Sequence, residues 1–267
     1  MKNLTTLFIL LASLFHIPAM AQDYYQLGYQ SYSEGNNDSL TIELLTKAIE
    51  HKQELSLAYM YRGSTKTYLG DLKGALEDLE KAIQLDKTND EAHYYESRVY
   101  LYQGDFRMAL MCIEVAIAID PSNANSYDMR SIVETSLGLL DKALLDADKA
   151  ISLNSMEDRY YSNRGYVHLL LKHYEEAVLD SEAAVRLGNL DKALVNRGVA
   201  LAALNRHDEA ILSYTKAIEF NPQLINIHYL RGLSYKAQGK TELACADFYK
   251  SKELGYQVEQ EAFAGCH

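Results

Sequence analysis

The sequence predicts an all-α chain of stacked helix–turn–helix repeats, and three observations carry that expectation. First, a short motif returns at a fixed interval. Lys81-Ala82-Ile83 recurs outright as Lys47-Ala48-Ile49, Lys149-Ala150-Ile151 and Lys216-Ala217-Ile218. Val115-Ala116-Ile117 and Ala183-Ala184-Val185 keep its shape, and Lys250-Ser251-Lys252 is a worn last copy. The small residues fall at 48, 82, 116, 150, 184, 217 and 251, at intervals of 34, 34, 34, 34, 33 and 34. A constant period of this size marks supersecondary units that bury their apolar faces against their neighbours. Second, each period holds two helical patterns around a short turn. In the second period these are Leu57 to Leu69 and Leu72 to Leu85, separated by Gly70-Asp71, with apolar residues three and four apart. Third, the small residues have a packing reason. Gly63, Ala75 and Ala82 let helix axes approach to roughly 8–10 Å, which bulky side chains would prevent.

Taken in order, the first element is not a repeat. Lys2, the apolar run Leu4 to Ile17 and the small-x-small site Ala19-Met20-Ala21 read as a secretory signal peptide over residues 1–21, cut before Gln22. The run is shorter than the roughly 18 residues a membrane span needs. No Cys follows the cut to carry a lipid, and nothing further along is apolar enough to cross a bilayer. The chain is therefore expected to be exported, periplasmic or secreted, and not membrane-spanning after cleavage.

The repeats resemble the tetratricopeptide-repeat (TPR) family. Its pattern asks for a small residue at repeat position 8, Gly near 15, Ala at 20, a bulky residue at 24, Ala at 27 and Pro at 32. Position 8 is Gly28, Gly63, Ser97, Ser131, Gly165, Gly198 and Gly232. Position 20 is Thr41, Ala75, Ala109, Ala143, Ala177, Ala210 and Ala244. Pro121 and Pro222 sit at position 32, just past a helix end where a missing N–H costs little. The departures are an extra residue near Asn36-Asn37, Lys172 where Gly is usual, and small Ala147 and Ser181 at position 24. The resemblance implies a right-handed α-solenoid of seven repeats: 22–55, 56–89, 90–123, 124–157, 158–190, 191–224 and 225–256. Residues 257–267 would follow as a C-terminal cap over the last apolar face, which has no neighbour to bury it. No linker or shift in composition interrupts 22–267, so it reads as one elongated domain.

Charge and cysteines narrow the function. The chain has 37 acids against 26 Lys and Arg, a net charge of −11 that becomes −12 once Lys2 leaves with the signal peptide. Nucleic acid is an unsuitable partner for such a surface, and so is an anionic membrane, because both need clustered cations. Many of the charges look structural. Arg at position 7 coincides with Asp at position 23 in Arg62/Asp78, Arg130/Asp146, Arg164/Asp180 and Arg231/Asp247, whereas Arg197 faces Ser213. Cys245 and Cys266 lie 21 residues apart, so an antiparallel cap brings them together; a bridge there would staple the cap with about 3 kcal/mol. Cys112 is left over and is expected to be buried between helices.

Catalytic patterns are missing. The eight His are scattered, and neither H-E-x-x-H nor C-x-x-C occurs. No metal or cofactor is expected, and no enzyme activity. His168 reads as a packed residue, and His173 with Glu175 and Glu176 as a helix start.

The resemblance implies that positions 2, 5, 6, 9, 12 and 13 of the first helices line an inner groove where peptides or partner helices lie. In the first three repeats these include Tyr25, Tyr29, Tyr32, Tyr61, Tyr68, Tyr94, Tyr95 and Tyr102, with Arg98 among them. In the fifth and sixth they include Arg159, Asn163, Tyr166, Lys192 and Asn196. Tyr offers a broad apolar face with a hydroxyl, and Asn can hold a peptide backbone. With 21 Tyr and no Trp, Tyr is also this chain's default large residue. The second group resembles the carboxylate clamp of chaperone-adaptor TPR proteins only in a cation at position 2 and Asn at position 6; the clamp's Lys at 5 and Asn at 9 are absent. The expectation is a non-catalytic module that binds a protein or peptide in the groove. The alternatives are a structural component of an envelope assembly, working through its convex face or ends, and a groove for a glycan or small molecule.

Overall fold

A computed structural model describes residues 23–35 and 37–266. The signal-peptide reading of 1–21 lies outside them. Among the described residues there are fourteen α-helices, one 3-10 turn and no strand. The described residues divide into two compact units, the first ending at Asp105 and the second beginning at Phe106. The first holds α1 (Tyr24–Glu34), α2 (Asp38–Glu50), α3 (Leu55–Tyr68), α4 (Leu72–Leu85) and α5 (Asp90–Gln103). The second holds α6 (Phe106–Ile119), α7 (Ala124–Ser136), α8 (Leu140–Leu153), α9 (Asp158–Leu170), α10 (Tyr174–Leu187), α11 (Asp191–Ala203), α12 (His207–Phe220), α13 (Ile227–Ala237), α14 (Thr241–Glu253) and the turn Gln260–Phe263. Within each unit a helix packs on the one before and the one after it. The first helices of successive repeats also touch, α1 on α3 on α5 and α7 on α9 on α11. This is an all-α solenoid.

From the second repeat on, the turn inside each repeat has one backbone shape. Gly70, Gly138 and Gly239 take positive φ there, and so do Lys172 (φ 62°) and Asn205 (φ 60°). The bonds that close the turn are also shared: Asp71 N–H to Lys66 C=O at 3.0 Å, His173 to His168 at 2.9 Å and Arg206 to Leu201 at 2.8 Å. Glycine is the unstrained choice, and stacking holds two side chains where glycine would sit more easily.

The small positions lie where helices meet. Ala48, Ala82, Ala116, Ala150, Ala184, Ala217 and Ser251 are all fully buried. At position 8 the need for glycine depends on position 24. A Cβ on Gly198 would come 2.4 Å from the Tyr214 ring, whereas at Gly165, opposite Ser181, the nearest contact is 3.3 Å. Ser131, opposite Ala147, has room for a hydroxyl that donates to the Ala143 carbonyl at 2.7 Å.

Each Arg–Asp coincidence is a bidentate pair. Arg62 meets Asp78 at 2.7 and 2.8 Å, Arg130 meets Asp146 at 2.5 and 2.8 Å, Arg164 meets Asp180 at 2.6 and 2.8 Å, and Arg231 meets Asp247 at 2.8 Å twice. The same guanidinium also reaches back to the preceding repeat: Arg62 to Thr46, Arg164 to Asp148 and Arg231 to Thr215, each 16 residues earlier. Arg197 follows suit, donating to Ser213 at 2.7 Å and to Glu182. One arginine thus ties together two helices of its own repeat and one of the repeat before it.

At the C-terminal end, Ala262 is buried and Phe263 packs on Phe248 and Tyr249, while Lys236 donates to the Glu261 and Ala262 carbonyls. The structure joins Cys245 to Cys266, with Cα atoms 5.6 Å apart, and leaves Cys112 buried and outside that disulfide.

Candidate interaction site

In the first unit the tyrosines of α1, α3 and α5 form a ladder. Ring centroids lie 6.3 Å apart for Tyr25–Tyr29, 5.1 Å for Tyr29–Tyr61, 4.8 Å for Tyr32–Tyr61 and 5.3 Å for Tyr94–Tyr95. The Tyr32 hydroxyl lies 3.0 Å from both the Ser64 and Tyr95 hydroxyls. Burial, with the nearby Glu91 charge, raises the phenols of Tyr61 and Tyr95 far above the ordinary range, so both remain protonated donors. The ladder divides by exposure. Tyr29, Tyr68 and Tyr102 are exposed, Tyr61, Tyr94 and Tyr95 are half-buried, and Tyr25 and Arg98 are buried. Tyr25 and Arg98 therefore belong to the wall of this face rather than to its free surface, since each is enclosed by neighbouring rings.

In the second unit a half-open cavity of about 540 Å³ lies along α7, α9 and α11. Asn163, Tyr166, Lys192 and Asn196 all line it. Arg159 does not. Its charge is spent on Glu157 at 3.3 Å and Asp128 at 3.8 Å, and it also donates to Asn125. The Asn163 amide donates to Asp128 at 2.8 Å and the Asn196 amide to the Ser162 carbonyl at 3.1 Å, which fixes both side chains. Asp128 is buried, and that burial pushes its carboxyl up to about 6, against the lowering effect of Asn163 and Arg159. Tyr166 and Lys192 stand exposed at the mouth. Ile132, Val167, Val195 and Leu224 supply apolar wall, and the buried Ser162 hydroxyl has no hydrogen-bond partner among the described residues.

Ile132, Thr135 and Ser136 occupy groove positions 9, 12 and 13 of the fourth repeat, so the rule that found Asn163 also reaches them. Asn226, at position 2 of the seventh repeat, is reached by the same rule, whereas Leu224 ends the sixth repeat and falls outside it. Chemically the cavity offers apolar wall, fixed amides, the Lys192 cation and the Asp191 carboxylate beside it. Among the described residues no group of three His, Cys, Asp or Glu could hold a metal, and no helix is long and apolar enough to cross a membrane.

Comparison with known proteins follows the same lines. Residues 57–89 match a family model described as tetratricopeptide repeat, and residues 198–239 one described as TPR repeat. No curated protein matches the sequence. Among solved structures, a tetratricopeptide repeat protein from Parabacteroides merdae ATCC 43184 is 19% identical, with TM-score 0.65 over 91% of this chain and 97% of its own. The APC/C hetero-tetramer Cut9–Hcn1 aligns with TM-score 0.79 at 15% identity, over 93% of this chain and 49% of that one. YrrB, described as a TPR protein with an unusual peptide-binding site, is 21% identical, with TM-score 0.56 over 70% of this chain and 96% of that one. At these identities the likeness is one of fold.

Proposed function

We propose, from the premise that this chain is a tetratricopeptide-repeat protein, that it is a non-catalytic interaction module holding a peptide or protein segment against the first helices of its repeats. The observation that carries this is the cavity on α7, α9 and α11. Its volume of about 540 Å³ suits a ligand site. Its mixture of aliphatic wall and fixed amides suits an extended peptide, whose backbone pairs with Asn163 and Asn196 while a side chain enters between Val167, Val195 and Leu224. The peptide-binding site of the structural neighbour YrrB is in keeping with this use. The test is a crosslinking pull-down with wild type beside Tyr166→Ala/Lys192→Ala, both exposed mouth residues. A retained partner should be lost with the double variant at unchanged helical circular dichroism; equal capture would reject the cavity.

A second reading has its own observation. Met111, Leu145, Leu179 and Leu212, all at repeat position 22 on second helices, are exposed. Such a row of aliphatics suits a structural role in an assembly that contacts partners by the other face. In that case Leu145→Glu/Leu179→Glu abolishes capture and the mouth variant does not. Export belongs to the proposal as well: a disulfide between Cys245 and Cys266 suits an oxidising compartment. Mature protein from the native source should begin at Gln22.

A further inference from the structure

In the first unit, Arg98 carries a charge with nothing to balance it. Its side chain is held between two rings, with the guanidinium carbon 4.4 Å from the Tyr68 centroid and 4.7 Å from that of Tyr95. One terminal nitrogen donates to the Tyr68 hydroxyl and the other to the Ser64 hydroxyl, both at 2.6 Å. Only 8% of the residue is exposed, and its Nε–H has no partner among the described residues. No carboxylate pairs with it there, in contrast to Arg62, Arg130, Arg164, Arg197 and Arg231, each of which meets an Asp or Glu. A buried guanidinium without a counter-charge is strongly unfavourable, and ring faces and hydroxyls offset only part of that.

The charge has one route outwards. The Tyr68 hydroxyl accepts from Arg98 and keeps its own proton to donate, while the residue is 59% exposed. A phenol that accepts a hydrogen bond from a cation is polarised into a stronger donor. Tyr102 is also exposed on α5, four residues after Arg98.

We propose that Arg98 and Tyr68 form a carboxylate-accepting subsite, in which the hydroxyl of the exposed Tyr68 binds an acidic side chain of a peptide and the buried Arg98 supplies the counter-charge. A side chain is specified rather than a chain end because the clamp residues that capture a terminus, Lys at position 5 and Asn at position 9, are absent. Ser64 and Tyr95 position the guanidinium. The subsite gives the bound peptide its chemistry and rests on the reading of this chain as an interaction module. Its residues lie in the first unit, so its failure would leave the cavity of the second unit untouched.

The test is nuclear magnetic resonance of the full chain, following the Arg98 Nε–H signal, which burial keeps slow to exchange. The probes are acetyl-Gly-Glu-Gly-amide, whose only charge is the side chain, and acetyl-Gly-Gly-Gly with a free carboxyl terminus. The expected result is a saturable shift with the glutamate peptide, weakened at least tenfold by Tyr68→Phe with helical circular dichroism retained, and weakened by added salt. Tyr68→Phe leaves the ring on Arg98 but takes away the acceptor of one guanidinium N–H, so some stability is lost and the variant is compared with wild type well below both thermal midpoints. No saturable shift, an equal shift in Tyr68→Phe, or a response confined to the free-terminus peptide would each overturn the proposal.

Discussion

Lys172 and Asn205 hold left-handed backbone conformations that the other repeats give to glycine, with φ of 62° and 60°. An L side chain there meets the local backbone, at a cost on the order of 1 kcal/mol. Lys172→Gly should therefore raise stability by about 0.5–1 kcal/mol, read as a higher urea midpoint at unchanged slope. No gain would mean that the lysine makes a compensating contact. A second residue-scale effect is electrostatic. Glu134 is buried on α7, and desolvation with the Asp146 charge pushes its carboxyl from 4.5 to about 7, against Arg130 and Lys142. Its folded pKa lies above its unfolded one, so the folded chain binds more protons between pH 4.5 and 7. Stability from this group is present below that window and is lost as pH rises through it. Glu134→Gln should raise the urea midpoint at pH 8 and leave it unchanged at pH 4.5. Asp128 works in the same direction over the lower window, from 3.8 to about 6.

Helix pairing was the most legible scale. The limits of α4, Leu72–Leu85, follow from apolar spacing alone, whereas α3 runs Leu55–Tyr68 rather than Leu57–Leu69 because periodicity does not register where a helix frays. The within-repeat Arg–Asp pairs were legible because a half-buried charge needs its partner, and so both residues recur together. The backward contacts to Thr46, Asp148, Glu182 and Thr215 were not, because their residue types differ and a tolerant hydrogen-bond partner leaves no pattern. The last pair of helices carries its own prediction. With Cys245 and Cys266 joined, the turn Gln260–Phe263 is tied to α14, where it covers Phe248. Cys266→Ser should cost on the order of 3 kcal/mol by freeing the closed loop, and should raise amide exchange first in α13 and α14. Exchange rising equally throughout the second unit would show that the bridge does not act locally.

For the whole molecule, the repeat pattern says which positions face the first-helix side but not which of them are free. Tyr61 and Tyr95 show the difference. Both fall at groove positions, yet Tyr61 packs against Tyr29 and Tyr32, and the Tyr95 hydroxyl lies 3.0 Å from that of Tyr32. Arg98 looks like a binding cation in the sequence and is enclosed in the structure, because spacing carries no information about what the neighbouring repeat presents. The same limit hid Asp128, which takes up both Asn163 and Arg159. The consequence concerns how the working surface is to be located. Truncating two half-buried aromatics removes packing as well as surface, typically about 3–5 kcal/mol for each fully buried ring and less here. Tyr61→Ala with Tyr95→Ala should therefore lower the thermal midpoint of the first unit, and a partner lost with that variant would report on folding as much as on contact. The exposed residues give a cleaner test. Tyr68→Phe and the Tyr166→Ala/Lys192→Ala variant should lower the midpoint less than the ladder variant does, because each removes less buried ring, so a change in binding at full helicity can be assigned to the surface itself. If Tyr61→Ala/Tyr95→Ala instead keeps the wild-type midpoint, the tyrosine ladder is not holding the first helices together, and its rings are available to a partner after all.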